Sequence, residues 1–157
     1  MKKLIALMLA LLTVLALCAC GESAPVEISC DDLITLISPA YKYNEKADGY
    51  VRGKAEVYFD RYTEGAVESD AEYFSAEEYA NALIEEFGVD AEAQTYGDSG
   101  AACFTCVNEG YKLIFFVFAK EKADCCEYYT VQCSAPENAY AKYEADFALI
   151  ADNVKIN

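Results

Sequence analysis

Leu113-Ile114-Phe115-Phe116-Val117-Phe118 is the stretch that decides the fold. Six apolar residues in a row, with no polar alternation, predict a central strand that needs cover on both sides. Residues 101–107 and 111–118 flank Asn108-Glu109-Gly110, a hairpin-like connection. Residues 125–133 form a third strand, reached through the charged loop 120–124. Its two rows are Cys125, Glu127, Tyr129, Val131, Cys133 and Cys126, Tyr128, Thr130, Gln132.

Helices precede and follow these strands. Ser75 and Glu78 make a capping box. Tyr79, Leu83 and Phe87, with Ala80 and Ile84 beside them, form an apolar stripe that Gly88 ends. A last helix starts around Pro136 and carries Tyr140, Tyr143, Phe147 and Ile150. Val154 and Ile156 suit a short edge strand over residues 153–157. The first half is less legible. Residues 33–37 read as a strand stopped by Pro39, and residues 50–59 mix apolar and charged side chains after an Asp48-Gly49 turn signal. There is no internal repeat and no Pro/Gly/Ser-rich linker. The expectation is one α+β domain over residues 26–157, an antiparallel sheet with helices on both faces.

The N-terminus gives an address. Lys2 and Lys3 precede an apolar run from Leu4 to Leu17, then Cys18-Ala19-Cys20-Gly21. A basic start, an apolar core and a small residue before the cut are the parts of an export signal. As a helix the run spans about 21 Å, short of a ~30 Å hydrocarbon core. Leu17-Cys18-Ala19-Cys20 resembles the bacterial lipobox, which implies that residues 1–19 are a signal peptide and Cys20 is the lipidated first residue. Residues 20–25 would be a tether to the extracytoplasmic face of the plasma membrane. An ordinary signal peptide cut nearby is the alternative. Acyl chains contribute ~0.8 kcal/mol per buried methylene, so several anchor stably.

Composition excludes several functions. The 157 residues hold 27 acids, 12 bases and no histidine, for a formal net charge of −15. Removing Lys2 and Lys3 would deepen that charge. A nucleic-acid partner requires clustered Lys or Arg and is not expected. Without histidine, Ser-His-Asp and Cys-His catalysis and His-ligated metals are excluded. Gly97-Asp98-Ser99-Gly100 reproduces a serine-protease string but reads as a turn. Asp31-Asp32 and Asp60 do not stand out from the other acids as a glycosidase pair. No EF-hand spacing occurs, leaving weak calcium binding to an acidic surface as an open reading. No cofactor is expected.

Apart from Cys20, the exported chain would carry Cys30, Cys103, Cys106, Cys125, Cys126 and Cys133. An even count outside the cytoplasm makes these candidates for up to three disulfides, or for small buried thiols. Cys103-Phe104-Thr105-Cys106 has redox spacing, but on a strand its ends lie ~10 Å apart, beyond disulfide reach. Thirteen tyrosines without tryptophan suit a recognition surface. Tyr41, Tyr43, Tyr50 and Tyr58 are the candidates, whereas Tyr79, Tyr140 and Tyr143 fall on core stripes.

Phe74-Ser75-Ala76-Glu77-Glu78-Tyr79-Ala80, Asn108-Glu109-Gly110-Tyr111, Tyr128-Tyr129-Thr130-Val131-Gln132-Cys133-Ser134 and the ending from Tyr143 to Ile156 together resemble a known family. It comprises small Gram-positive bacterial lipoproteins with a domain similar to PsbP, the oxygen-evolving-complex accessory protein. The resemblance implies an α/β/α sandwich and an accessory or binding role. It supplies no catalytic residue, and the cysteines lie outside its pattern. The leading expectation is a non-enzymatic module that meets an envelope protein or small ligand. An extracytoplasmic thiol or hydrolytic enzyme, and an acidic structural envelope component, are the competitors.

Overall fold

A computed structural model describes residues 24–65, 75–98, 100–122 and 125–157. The signal segment, Cys20, Phe74, Ser99 and part of the 120–124 loop lie outside the described residues. Two antiparallel sheets form. The smaller has the order β1 (Val26–Cys30), β2 (Leu33–Ile37) and β10 (Lys155–Ile156). The larger runs β3-β4-β5-β9-β8-β7-β6. Its strands are β3 (Lys42–Asn44), β4 (Gly49–Arg52), β5 (Ala55–Gly65), β6 (Gln94–Tyr96), β7 (Ala101–Asn108), β8 (Tyr111–Glu121) and β9 (Cys125–Pro136).

The apolar run is indeed interior. β8 pairs with β7 and β9, and Phe115, Phe116, Val117 and Phe118 are all buried. Asn108 and Tyr111 face each other across a two-residue turn. Glu109 and Gly110 both have positive φ there, 51° and 80°. That conformation matches strand twist and favours glycine at its second position.

Helix α1 (Ala76–Phe87) begins and ends where the sequence predicts. Ser75 accepts a hydrogen bond from the Glu78 backbone N–H, and Gly88 closes the helix at φ 61°. The ambiguous 50–59 region divides between two strands, β4 and β5. It folds back at Gly53-Lys54, which sets Arg52 opposite Ala55. The C-terminal helix also differs from expectation. β9 continues through Pro136, a 3₁₀ helix spans Glu137–Lys142, and helix α2 (Glu144–Asp152) follows. Tyr140 and Tyr143 are three residues apart, a spacing that suits the 3₁₀ turn; both are buried.

Successive residues of β8 divide between two apolar clusters. Phe116 and Phe118 join Leu33, Ile37, Val57, Val131, Phe147 and Ile150. Phe115 and Val117 join Ala76, Ala80 and Leu83 of α1 with Ala102 and Phe104 of β7. The small sheet is fastened to α2 by Thr35, whose buried hydroxyl donates to the Ile150 carbonyl at 2.5 Å. It is fastened to the large sheet by charge. Arg61 lies within 4 Å of Asp31 and Asp32, and Lys122 bridges Asp32 and Glu127.

Candidate functional site

A groove of about 890 Å³ opens between the C-terminal end of α1 and the β7–β8 hairpin. Phe87, Gly88, Val89 and Asp90 form one wall, and Thr105 to Asn108 form the other. Leu113, Phe115 and Gln132 supply its floor. The local sequence explains the opening. Gly88 stops α1 in a left-handed conformation, so the last residue of the apolar stripe overhangs the sheet. Phe87 touches the Phe115 ring at 5.5 Å between centroids yet stays 47% exposed. Val107, on the β7 wall, is 55% exposed, and strand alternation turns its side chain to the face of its pair partner Lys112. Lys112 lines the groove but places its ammonium over the Tyr140 ring, 4.3 Å from the centre. Asp90 and Lys112 are thus the charged residues of the lining, the Lys112 ammonium being held over Tyr140.

The predicted tyrosine surface does not assemble. Tyr41 is buried in the core, where burial raises its hydroxyl well above the usual range. Tyr43 and Tyr50 do meet edge-on at 5.5 Å, and Tyr50 continues onto Phe59. The Tyr43 hydroxyl donates to Asp48 at 2.5 Å. Tyr58 points the other way along β5 and packs over β4. A Cβ added at Gly49 would lie 2.6 Å from the Tyr58 ring, so glycine is what admits it. The Tyr58 hydroxyl donates to Glu56 at 2.7 Å. Strand alternation scatters the four, a consequence legible only once strand boundaries are known.

The six described cysteines are unbridged in this structure. Register explains this. Cys30 faces Leu33, Cys106 faces Leu113, and Cys103 faces Gln94 and Phe116. Cys125 faces Gly65, Cys126 faces Glu64 and Glu121, and Cys133 faces Val57 and Ile114. No cysteine lies opposite another. Cys103 and Cys106 belong to different clusters, as strand placement predicts. Burial raises the thiols of Cys30, Cys103, Cys106 and Cys133, the reverse of what a reactive thiolate requires. Among the described residues no group of three or more His, Cys, Asp or Glu side chains is placed to hold a metal ion. Gly97 and Gly100, at φ 60° and 73°, fit the turn reading of that string.

No protein-family model matches the chain, and no curated protein does. Solved structures do. The cyanobacterial PsbP protein CyanoP of Synechocystis superposes with a TM-score of 0.54 at 10% identity, over 88% of this chain and 95% of that one. The fold is PsbP-like. The Ran-binding protein Mog1p of Saccharomyces cerevisiae gives a TM-score of 0.46 at 11% identity, over 85% of this chain and 95% of that one. A mixed α+β chain with a mostly antiparallel sheet thus agrees with the sequence resemblance.

The groove was missed at sequence level. Phe87 sits on the apolar stripe of α1 and reads as core. The available signal was the uncharged strand Cys103-Phe104-Thr105-Cys106-Val107 running into a turn, with two β-branched residues left without cover.

Proposed function

We propose that this chain is a non-enzymatic, lipid-anchored binding domain at the extracytoplasmic face of a bacterial plasma membrane. Cys20 carries the anchor, residues 20–25 form the tether, and residues 26–157 fold as one domain with helices on both faces of the main sheet. The setting is that of small Gram-positive lipoproteins. The observation that carries the binding reading is the groove. Exposed Phe87 overhangs a floor of Leu113 and Phe115, with Cys106 and Asn108 along the β7 side and Asp90 and Gln132 as polar rim. A concave apolar surface with a few polar groups is the usual make-up of a ligand site. The raised thiols favour binding over thiol chemistry at Cys106, which lines the same groove. The layered reading draws on the division of β8 between two helix-bearing clusters.

The test uses anchored protein in intact cells. A photocrosslinking residue replaces Phe87 in one version and Val26, exposed on β1, in another. One recurrent adduct at position 87 and none at 26 is expected. Equal, diffuse labelling at both would overturn the binding reading. Cys20→Ala should move the protein from the membrane fraction to the medium. Unmodified Cys20 in membrane-free protein would overturn the anchor.

A further inference from the structure

β7 is only partly paired on its outer side. Ala101, Ala102 and Cys103 face β6, but Phe104 to Asn108 have no outer partner strand among the described residues. Continuing the register would set residues 93–91 of the incoming chain opposite residues 104–106. Instead Val89, Ala91 and Ala93 pack into the α1 cluster, and the groove opens in the gap. Asn108 and Tyr111 close a two-residue turn, where the flanking residues form a hydrogen-bonded pair. Alternation then points the backbone N–H and C=O of Thr105 and Val107 away from β8 and into the gap. Both residues are exposed.

Exposed strand edges are normally blunted by charge, proline or shortness. The other outer edge of this sheet follows that rule: β3 has three residues and begins with Lys42. Residues 103–108 carry no charge and no proline. The surroundings are acidic. Asp90 lines the groove, and Glu85, Glu86, Glu92 and Glu109, each within two residues of a lining residue in sequence, are exposed, while the Lys112 ammonium is engaged on Tyr140. A second copy would bring the same acids against these, on a chain of net charge −15.

We infer that the open edge of β7 receives an extended segment of a partner protein, rich in basic and apolar residues, as an added strand. This rests on the binding reading above and specifies its partner. Five free residues accommodate a strand of about 17 Å. Partner backbone groups bond to Thr105 and Val107. Alternate partner side chains enter the groove beside Cys106 and Phe87, and basic ones meet Asp90 and Glu92. This is recognition by strand addition, in which the main chain supplies affinity and pockets supply sequence preference.

The test selects a displayed library of random nine-residue peptides against the full chain in detergent micelles. Selected peptides are then measured by fluorescence polarisation. The expected consensus alternates apolar and Lys or Arg residues. Val107→Pro removes only an outward N–H, which an edge strand tolerates, and should weaken binding tenfold or more with the circular dichroism spectrum unchanged. Val107→Lys leaves every backbone group in place and should weaken binding as well, which covers the case of a proline variant that fails to fold. Peptides that bind wild type and both variants equally would overturn the strand-addition inference while sparing the binding reading. An acidic consensus would overturn the partner chemistry. Dimerisation of the chain that Val107→Pro abolishes would assign the edge to a second copy and overturn the inference. No selected peptide, together with no adduct at position 87, would overturn both readings.

Discussion

The two apolar clusters that share β8 are finished differently. Phe116 and Phe118 are sealed beneath the small sheet, the 3₁₀ turn and α2, and Ile37, Phe147 and Ile150 are at most 1% exposed. Phe115 and Val117 are covered by α1 and by Val89, Ala91 and Ala93 of the segment that follows it. That helix stops at Gly88, leaving Phe87 overhanging a groove. One strand serves both clusters, so the difference lies in what covers them. Both clusters are closed at their centres; the second is open at its Phe87 edge, where the groove leaves surface for a partner. Substitutions in the two should therefore separate stability from binding.

The largest effect is expected in the sealed cluster. Phe147 is 1% exposed and rests against Tyr140 and Tyr143. Phe147→Ala removes a buried ring and leaves a cavity, which costs about 3–5 kcal/mol. Urea denaturation followed by circular dichroism would measure it. A cost below about 1 kcal/mol would mean that the cluster is not sealed as described. Next comes the helix that covers the other cluster. Ser75→Ala removes the acceptor for the Glu78 N–H and should cost about 1 kcal/mol by the same assay.

How far the sequence revealed this contrast depends on the element. β8, the β7–β8 hairpin and α1 were legible because apolar runs, turn residues and caps are local signals. The split of residues 50–59 into β4 and β5 was not, since both strands carry similar mixed patterns and only Gly53 marks the fold-back. β1 was missed, because its pattern of exposed Val26, Glu27 and Ser29 becomes a strand only by pairing with β2. The tyrosine surface failed for a related reason. Tyr41, Tyr43, Tyr50 and Tyr58 are close in sequence, but strand alternation and burial are set by partners far along the chain. Phe87 was misplaced because helical periodicity cannot say where the sheet beneath a helix ends.

A smaller effect concerns the charges that fasten the small sheet. Glu127 receives hydrogen bonds from Lys122 at 2.6 Å and from Tyr129 at 2.7 Å. The Lys122 contact, then the Tyr129 hydroxyl, hold its carboxyl below the usual carboxylate range. A lowered value in the folded state contributes stability that is present above the unfolded value, about 4.3, and lost as pH falls through the folded value. Glu127→Gln should lower stability at pH 7, and its difference from wild type should shrink below about pH 4. A difference that stays constant from pH 7 to pH 3 would show that the ion pair contributes nothing.

The smallest stability effect is expected at the groove, and it is the one that tests the comparison most sharply. Phe87 is nearly half exposed, so Phe87→Ala forgoes only part of a ring's burial and one tilted contact with Phe115. Gly88 still caps the helix, and Leu83 still faces the cluster. The cost should be within about 1 kcal/mol, far from the Phe147 value, because large losses need a cavity or an unpaired buried group. Yet the same substitution removes the overhanging wall of the groove. Peptides selected on wild type should bind Phe87→Ala at least tenfold more weakly while Phe147→Leu, a buried change of modest volume, leaves their affinity unaltered. If Phe87→Ala instead destabilised the chain as much as Phe147→Ala, the aromatic ring would be core. The second cluster would then be as closed at this edge as its neighbour.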